Sequence, residues 1–196
     1  MKLDVNVLVN KDNPLDLNYI PDNLYIVDDN KDNFHNYKDP NLKPMLRKDI
    51  KNYIDMLLVD AKKLGFSLIV DSGYRSSSYQ QVILEKLIEE KEMEAYKLVA
   101  LPGMSEHQTG LAVDFAYYKD GVYDDDVKED DKEAIWLKNN SWKYGFILRY
   151  PKGKEDITGY NFEPWHFRFV GLELAKKLYD EDITLEEYYK KSKIIL

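Results

Sequence analysis

The chain has 196 residues, 44% hydrophobic and 33% charged, and sets 28 basic against 36 acidic side chains for a net charge of −8. That length and composition fit one soluble globular domain over residues 1–196, and the negative balance gives no electrostatic reason to seek nucleic acid or an anionic membrane. With no cysteine in the sequence, a disulfide scaffold, thiol catalysis and thiolate zinc sites are excluded.

No apolar run approaches the roughly 18–20 residues of a membrane span. The opening MKLDVNVLVNKDNPLD lacks the basic-then-apolar order of a signal peptide. It implies either a cytoplasmic protein or an export segment outside this sequence.

Residues 1–42 are rich in Asn, Asp and Pro, with apolar points at Val5, Val7 and Val9. They read as an extended arm that wraps the domain. Asp28, Asn30 and Asp32 resemble the start of a calcium loop, but Asn33 stands where the sharp-turn glycine belongs, so a solvated loop is expected. Leu46, Ile50, Tyr53, Ile54, Leu57, Leu58, Ala61 and Leu64 recur at spacings of three and four, the stripe of an amphipathic helix ended by Gly65. Phe66–Val70 is short, apolar and partly β-branched, a strand before a turn at Gly73. Residues 77–99 read as helix with Val82, Ile83, Leu87 and Ile88 inward.

In residues 111–117, Leu111, Val113 and Phe115 alternate with Ala112, Asp114 and Ala116, the period of a strand. The acidic stretch from Asp124 to Asp131 reads as a solvated loop. A helix is expected from about Lys132 to Tyr144, stopped by Gly145. A strand in GFILRYP ends at Pro151, and another covers HFRFVG, residues 166–171. Two helices fill 172–196, the second opened by Thr184 and Glu187 at capping-box spacing. The mixture predicts an α+β fold, helices against a small, mostly antiparallel sheet.

Three histidines are present. His35 reads as an ordinary polar residue. His107 stands seven residues before Asp114, and His166 three residues after Glu163. Asp114 lies mid-strand on the alanine face, where a carboxylate costs several kcal/mol unless it is paired or binds a metal. Gly110 lets the chain turn so that His107 reaches back over the strand. Two imidazoles and one carboxylate make a three-ligand zinc site with a fourth position open, the catalytic arrangement. Pro164 argues against a helical Glu-x-x-His pair. Glu163 is therefore expected near the metal but not on it, placed to take a proton from water and give it to a leaving amine. Arg75, at a strand end after Gly73, can hold a carboxylate or a developing oxyanion, with Ser105 and Gln80 as polar partners. Each residue alone has a plainer explanation; Asp114, for one, could simply pair with Arg75. Their conjunction is what points to chemistry.

SGYRSSSYQ, LPGMSEHQTGLAVDF and YGFILRYPKGKEDITGYNFEPWHFRFVG resemble the VanY-type D-alanyl-D-alanine carboxypeptidases, within the wider group of lysostaphin-type peptidases, D-Ala-D-Ala metallopeptidases and the hedgehog signalling domain. The resemblance runs from about Leu8 to about Gly171 and rests on S-x-H-x-x-G-x-x-x-D together with E-x-W-H. It implies a hedgehog/D-Ala-D-Ala-peptidase-like fold, with His107, Asp114 and His166 as Zn2+ ligands and Glu163 as general base. It further implies that Arg75 polarises the scissile carbonyl or holds the substrate's C-terminus, and that Gln80 and Ser105 contact substrate. The implied reaction is hydrolysis of the terminal D-alanine from a peptidoglycan stem peptide, by a monomer outside the cytoplasm or at the cell surface. Other activities fit the same motifs: an L,D-carboxypeptidase on tetrapeptide stems, a D,D-dipeptidase, or a phage-type endopeptidase. A non-catalytic zinc-binding module is the alternative outside the enzyme class, and Glu163 and Arg75 weigh against it.

Overall fold

A computed structural model describes residues 3–27 and 43–194; the calcium-loop-like stretch 28–32 and His35 lie outside them. Strand β1 (Leu24–Ile26) pairs antiparallel with β2 (Met45–Arg47), and a 3-10 turn at Lys48–Ile50 leads into helix α1 (Lys51–Lys63). There follow β3 (Leu68–Ser72), α2 (Ser77–Lys91), α3 (Ala95–Leu98), β4 (Ala112–Lys119), β5 (Val122–Asp124) and α4 (Lys132–Asn140). The chain continues with β6 (Phe146–Leu148), α5 (Glu155–Thr158), β7 (His166–Phe169), α6 (Leu172–Glu181) and α7 (Leu185–Ile194).

The main sheet runs β3-β4-β7-β6, every pair antiparallel. β7 lies beside the first half of β4, and β5 pairs with its second half. The fold is α+β, as the interleaved pattern implies.

The alternation in β4 decides what each face of the sheet does. Leu111, Val113 and Phe115 turn into a core shared with Ile54 and Leu57 of α1, Leu137 of α4, and Phe146, Phe167 and Phe169 of the neighbouring strands. Phe115 packs edge-on to Phe167 at 5.6 Å, and Phe146 to Phe169 at 5.2 Å. Burying each such ring stabilises the fold by roughly 1.5–3 kcal/mol. The opposite face of the same strands carries Asp114, His166 and Arg168, so the packing of one face fixes the polar set on the other.

Several expectations are corrected in detail. Leu46 belongs to β2, and Leu64, at the C-cap of α1, is 59% exposed. The helix expected over 77–99 breaks at Glu92, whose φ of 51° leaves the right-handed region. Val82 points outward; Gln80 and Leu84 are the buried residues of α2, with Ile83, Leu87 and Ile88 half-buried. The helix is rolled because the Gln80 amide is drawn inward, donating to the Ala100 carbonyl at 2.8 Å and accepting from Arg75. The acidic stretch is not all solvated: Val122–Asp124 forms β5, and Asp131 accepts hydrogen bonds from the Tyr117 hydroxyl and the Lys128 amide. The capping box at α7 is made in both directions, Glu187 N–H donating to Thr184 Oγ1 at 3.2 Å and Thr184 N–H to Glu187 Oε2 at 2.8 Å.

The described part of the N-terminal arm lies across the domain. Leu15 N–H donates to the Gly103 carbonyl at 2.8 Å, and the Gln108 amide donates to the carbonyls of Asp16 and Tyr19. Among the described residues, no helix is long and apolar enough to cross a membrane.

Candidate active site

The site forms where β3, β4 and β7 meet. The β4 register sets Asp114 opposite Ser72 on one side and His166 on the other. A register shift between Val70 and Ser72 re-aims the end of β3, so that Gly73, Tyr74 and Arg75 leave the sheet toward the site. Gly73 is required there, because a Cβ would run into the Met45 carbonyl oxygen. Its own carbonyl accepts from His107 Nδ1 at 2.6 Å, which leaves His107 Nε2 facing Asp114 Oδ2 at 3.2 Å.

His107 sits on a 3-10 turn, Glu106–Thr109, closed by Gly110 at φ 68°. This is the left-handed step that carries the chain from His107 back into β4. On the other side, Glu163 is held by two backbone bonds: its N–H donates to the Tyr150 carbonyl at 3.1 Å, and its carbonyl accepts from His166 N–H at 3.2 Å. The second bond closes a turn with Pro164 in the position turns favour for proline. Glu163 Oε2 lies 3.7 Å from His166 Nδ1.

His107, Asp114 and His166 thus offer two ring nitrogens and a carboxylate, all within 4.8 Å of one another. His166 Nδ1 is 2.9 Å from Asp114 Oδ1. This donor set suits a divalent transition metal held by three protein ligands. Arg75 stands beyond it: its Nη2 is 3.7 Å from Asp114 Oδ2 and donates to Ser72 Oγ at 3.2 Å, and its Nη1 donates to Gln80 Oε1 at 2.9 Å. The structure brings Arg75, Gln80, Ser105, His107, Asp114, Glu163 and His166 together around one cavity of about 210 Å³. Gln80, 2% exposed, spends both ends of its amide within the protein, where it orients Arg75.

Burial and mutual charge set the protonation of these groups. Burial pushes the Glu163 carboxyl up to about 7, with Asp114 and Glu106 adding to the rise and His166 and Arg75 opposing it. Burial also disfavours an ionised Asp114, yet His107 and His166 hold its carboxyl well below the usual carboxylate range. The two histidines diverge. Burial lowers His107, reinforced by Arg75, whereas His166 rises to about 9 against its own burial because Asp114, Glu106 and Glu163 surround it. The arrangement pairs an ionised carboxylate, Asp114, with a second carboxyl, Glu163, poised near neutrality, a division of labour that suits acid–base hydrolysis.

Two features escape sequence reading. Tyr150 lines the cavity and stacks on His166 at 4.9 Å, with Tyr160 packed behind it at 4.7 Å. Glu106, adjacent to His107, is completely buried: its Oε1 accepts from Arg149 Nε and Arg168 Nη1, both at 2.8 Å. Those two arginines hold its carboxyl well below the usual range despite burial. A charged residue between Ser105 and His107 reads from sequence as surface.

The family model for VanY, described as D-alanyl-D-alanine carboxypeptidase, matches residues 43–172. The chain is 42% identical over 193 residues to YodJ of Bacillus subtilis (strain 168), a provisionally named carboxypeptidase, covering 98% of this chain and 69% of that protein. It is 37% identical over 187 residues to the bifunctional D-Ala-D-Ala dipeptidase and D-Ala-D-Ala carboxypeptidase VanXYC of Enterococcus gallinarum, covering 93% and 92%. Among solved structures, the LdcB LD-carboxypeptidase matches with a TM-score of 0.83 at 42% identity, covering 94% of this chain and 85% of that one. A single-residue variant of the vancomycin-resistance D,D-pentapeptidase VanY in complex with Zn(II) matches at 0.77 and 35% identity, covering 94% and 98%. VanYB in complex with D-alanine-D-alanine matches equally well, at 0.77 and 35%, covering 95% and 97%.

Proposed function

The chain belongs to the VanY family of D-alanyl-D-alanine carboxypeptidases, and from that premise we propose that it is a zinc-dependent carboxypeptidase removing the terminal D-alanine of peptidoglycan stem peptides. Membership makes it a peptidase; zinc, the substrate and the residue roles are the proposal. One observation carries it: the cavity that gathers His107, Asp114 and His166 also holds a buried carboxyl, Glu163, and a guanidinium, Arg75. A metal site that only stabilised the fold would need neither.

In this reading His107, Asp114 and His166 hold Zn2+, in keeping with the Zn(II) complex of the VanY relative. When bound, the ion acts as a Lewis acid and lowers the pKa of a coordinated water to about 7. Glu163 accepts a proton from the attacking water at its carboxylate and returns it to the nitrogen of the departing D-alanine. The burial that raises Glu163 toward 7 suits it to both steps. Arg75, fixed by Gln80 and Ser72, sets a positive charge beside the scissile carbonyl or the substrate's terminal carboxylate. Ser105 contributes a further polar group to the wall, and Tyr150, Tyr160 and Trp165 give the cavity an aromatic side.

D-Ala-D-Ala chemistry is favoured by the family description and by the complex of VanYB with D-alanine-D-alanine. A second reading, an L,D-carboxypeptidase acting on tetrapeptide stems, is favoured by the likeness to LdcB. Either substrate is a cell-wall peptide, which supports a reading in which the protein works outside the cytoplasm or at the cell surface. The test is D-alanine release from a pentapeptide stem. Release that stops with a chelator and returns with zinc supports the reading; no release, or release indifferent to the chelator, overturns it.

A further inference from the structure

We propose that Glu106 is a positioning residue for His166: a carboxylate locked at one oxygen by two arginines, whose other oxygen accepts a hydrogen bond from His166 Nε2–H and so commits Nδ1 to the metal. The inference rests on the reading of His166 as a zinc ligand.

Glu106 Oε2 and His166 Nε2 are both buried, and neither has a hydrogen-bond partner among the described residues. They face each other at 3.7 Å. A shift of about 0.7 Å brings them to the ordinary N–H···O separation of about 3.0 Å. His166 Nδ1 is directed at Asp114 Oδ1, 2.9 Å away, so it is the nitrogen turned toward the other ligands. An imidazole that gives Nδ1 to a metal carries its remaining proton on Nε2, and a buried N–H needs an acceptor.

Glu106 cannot swing aside. Its Oε1 accepts from Arg149 Nε and Arg168 Nη1, and each arginine is tied at its far end. Arg149 donates to both carboxylate oxygens of Glu186 on α7, at 2.9 and 2.6 Å. Arg168 donates to the carbonyls of Val5 and Val7 in the N-terminal arm, at 3.0 and 2.8 Å. The C-terminal helix and the arm thereby hold the anchors of a carboxylate that addresses the site. His107 is fixed in the opposite sense, its Nδ1 on the Gly73 carbonyl and its Nε2 toward Asp114. The two histidines should therefore ligate through different ring nitrogens.

With three histidines in the chain, ring 15N–1H long-range correlation spectra of the 15N-labelled, zinc-loaded protein can resolve each ring. His166 should show a proton on Nε2 and zinc on Nδ1, and His107 the reverse. Glu106→Gln sharpens the test. Its carboxamide oxygen must stay with the two arginines, so its NH2 group is left facing His166 Nε2 and favours the wrong tautomer. A folded Glu106→Gln protein should bind zinc about 10- to 100-fold more weakly, and in its metal-free form His166 should lose the Nε2 proton that the parent carries while keeping one on Nδ1. Unchanged affinity together with an unchanged Nε2 proton in that variant overturns the inference. So does zinc bound through Nε2 of His166 in the unaltered protein, a measurement that stands even if the variant does not fold. Absence of zinc uptake by the unaltered protein instead defeats the zinc-peptidase reading, and this inference with it.

Discussion

Asp114 and His166 are direct cross-strand partners, aligned by the antiparallel register of β4 and β7, with Oδ1 and Nδ1 2.9 Å apart. Two of the three candidate ligands are thus set by sheet pairing itself, and a one-residue slip would turn both away from the site. The third, His107, arrives from a separate turn and is aimed by the Gly73 carbonyl.

This construction predicts about one zinc per chain, measured by elemental analysis of the purified protein. His107→Ala, Asp114→Ala and His166→Ala should each strip the metal and abolish activity. Full metal content in all three variants would remove the site assignment.

Glu163→Gln should keep both fold and metal while lowering kcat by roughly 10²–10⁴, since the amide preserves shape but cannot accept a proton. The ionised carboxylate is the working form, so kcat/KM should rise with pH. Burial holds the carboxyl at about 7, and a neighbouring divalent cation pulls it lower, so the rising limb of the loaded enzyme should fall at or below pH 7 and vanish in the glutamine variant. Near-normal turnover of that variant, or a rate that rises as pH falls, would exclude Glu163 as base.

Arg75→Lys should lower kcat/KM by about tenfold or more. Lysine keeps the charge but loses the planar fork that bonds Gln80 and Ser72 while facing the cavity, and a hydrogen bond to a charged group is worth about 1.5–3 kcal/mol. Steady-state kinetics on a stem peptide checks this, and an unchanged kcat/KM would leave Arg75 a structural residue.

Gly73→Ala should cost about 1–3 kcal/mol of stability, because the added Cβ meets the Met45 carbonyl and forces the backbone to move. It should also weaken metal binding, since the displaced carbonyl is the one that orients His107. Denaturant unfolding and a zinc titration read the two effects, and a variant matching the parent in both would refute the close approach described for Gly73.

Much of this was legible in the sequence because it is local. The alternation from Leu111 to Tyr117 marks β4 and singles out Asp114 as a carboxylate on its alanine face. Thr184 and Glu187 announce a helix start that the structure forms in both directions. The spacing around His107, Asp114, Glu163 and His166 points to residues that the structure gathers around one cavity. What stayed hidden depends on long-range pairing. Glu106 is buried by arginines 43 and 62 residues away, which no local pattern links to it. The outward turn of Val82 follows from Gln80 bonding to Ala100 and Arg75, a tertiary demand that overrides the apolar stripe of α2. Tyr150 reads as one more core aromatic until the fold stacks it on His166.

Mass spectrometry of defined stem peptides shows whether a D-alanine is cut from a free C-terminus. Pentapeptide and tetrapeptide stems, each with a free or amidated terminal carboxylate, would be incubated with the zinc-loaded protein and the products weighed. The free-acid pentapeptide should lose a single alanine, and amidation should slow this by at least about tenfold, the worth of a charged hydrogen bond. Trimming of the tetrapeptide alone would transfer the assignment to L,D-carboxypeptidase. Equal rates on free and amidated ends, or cuts inside the stem, would contradict a carboxypeptidase altogether.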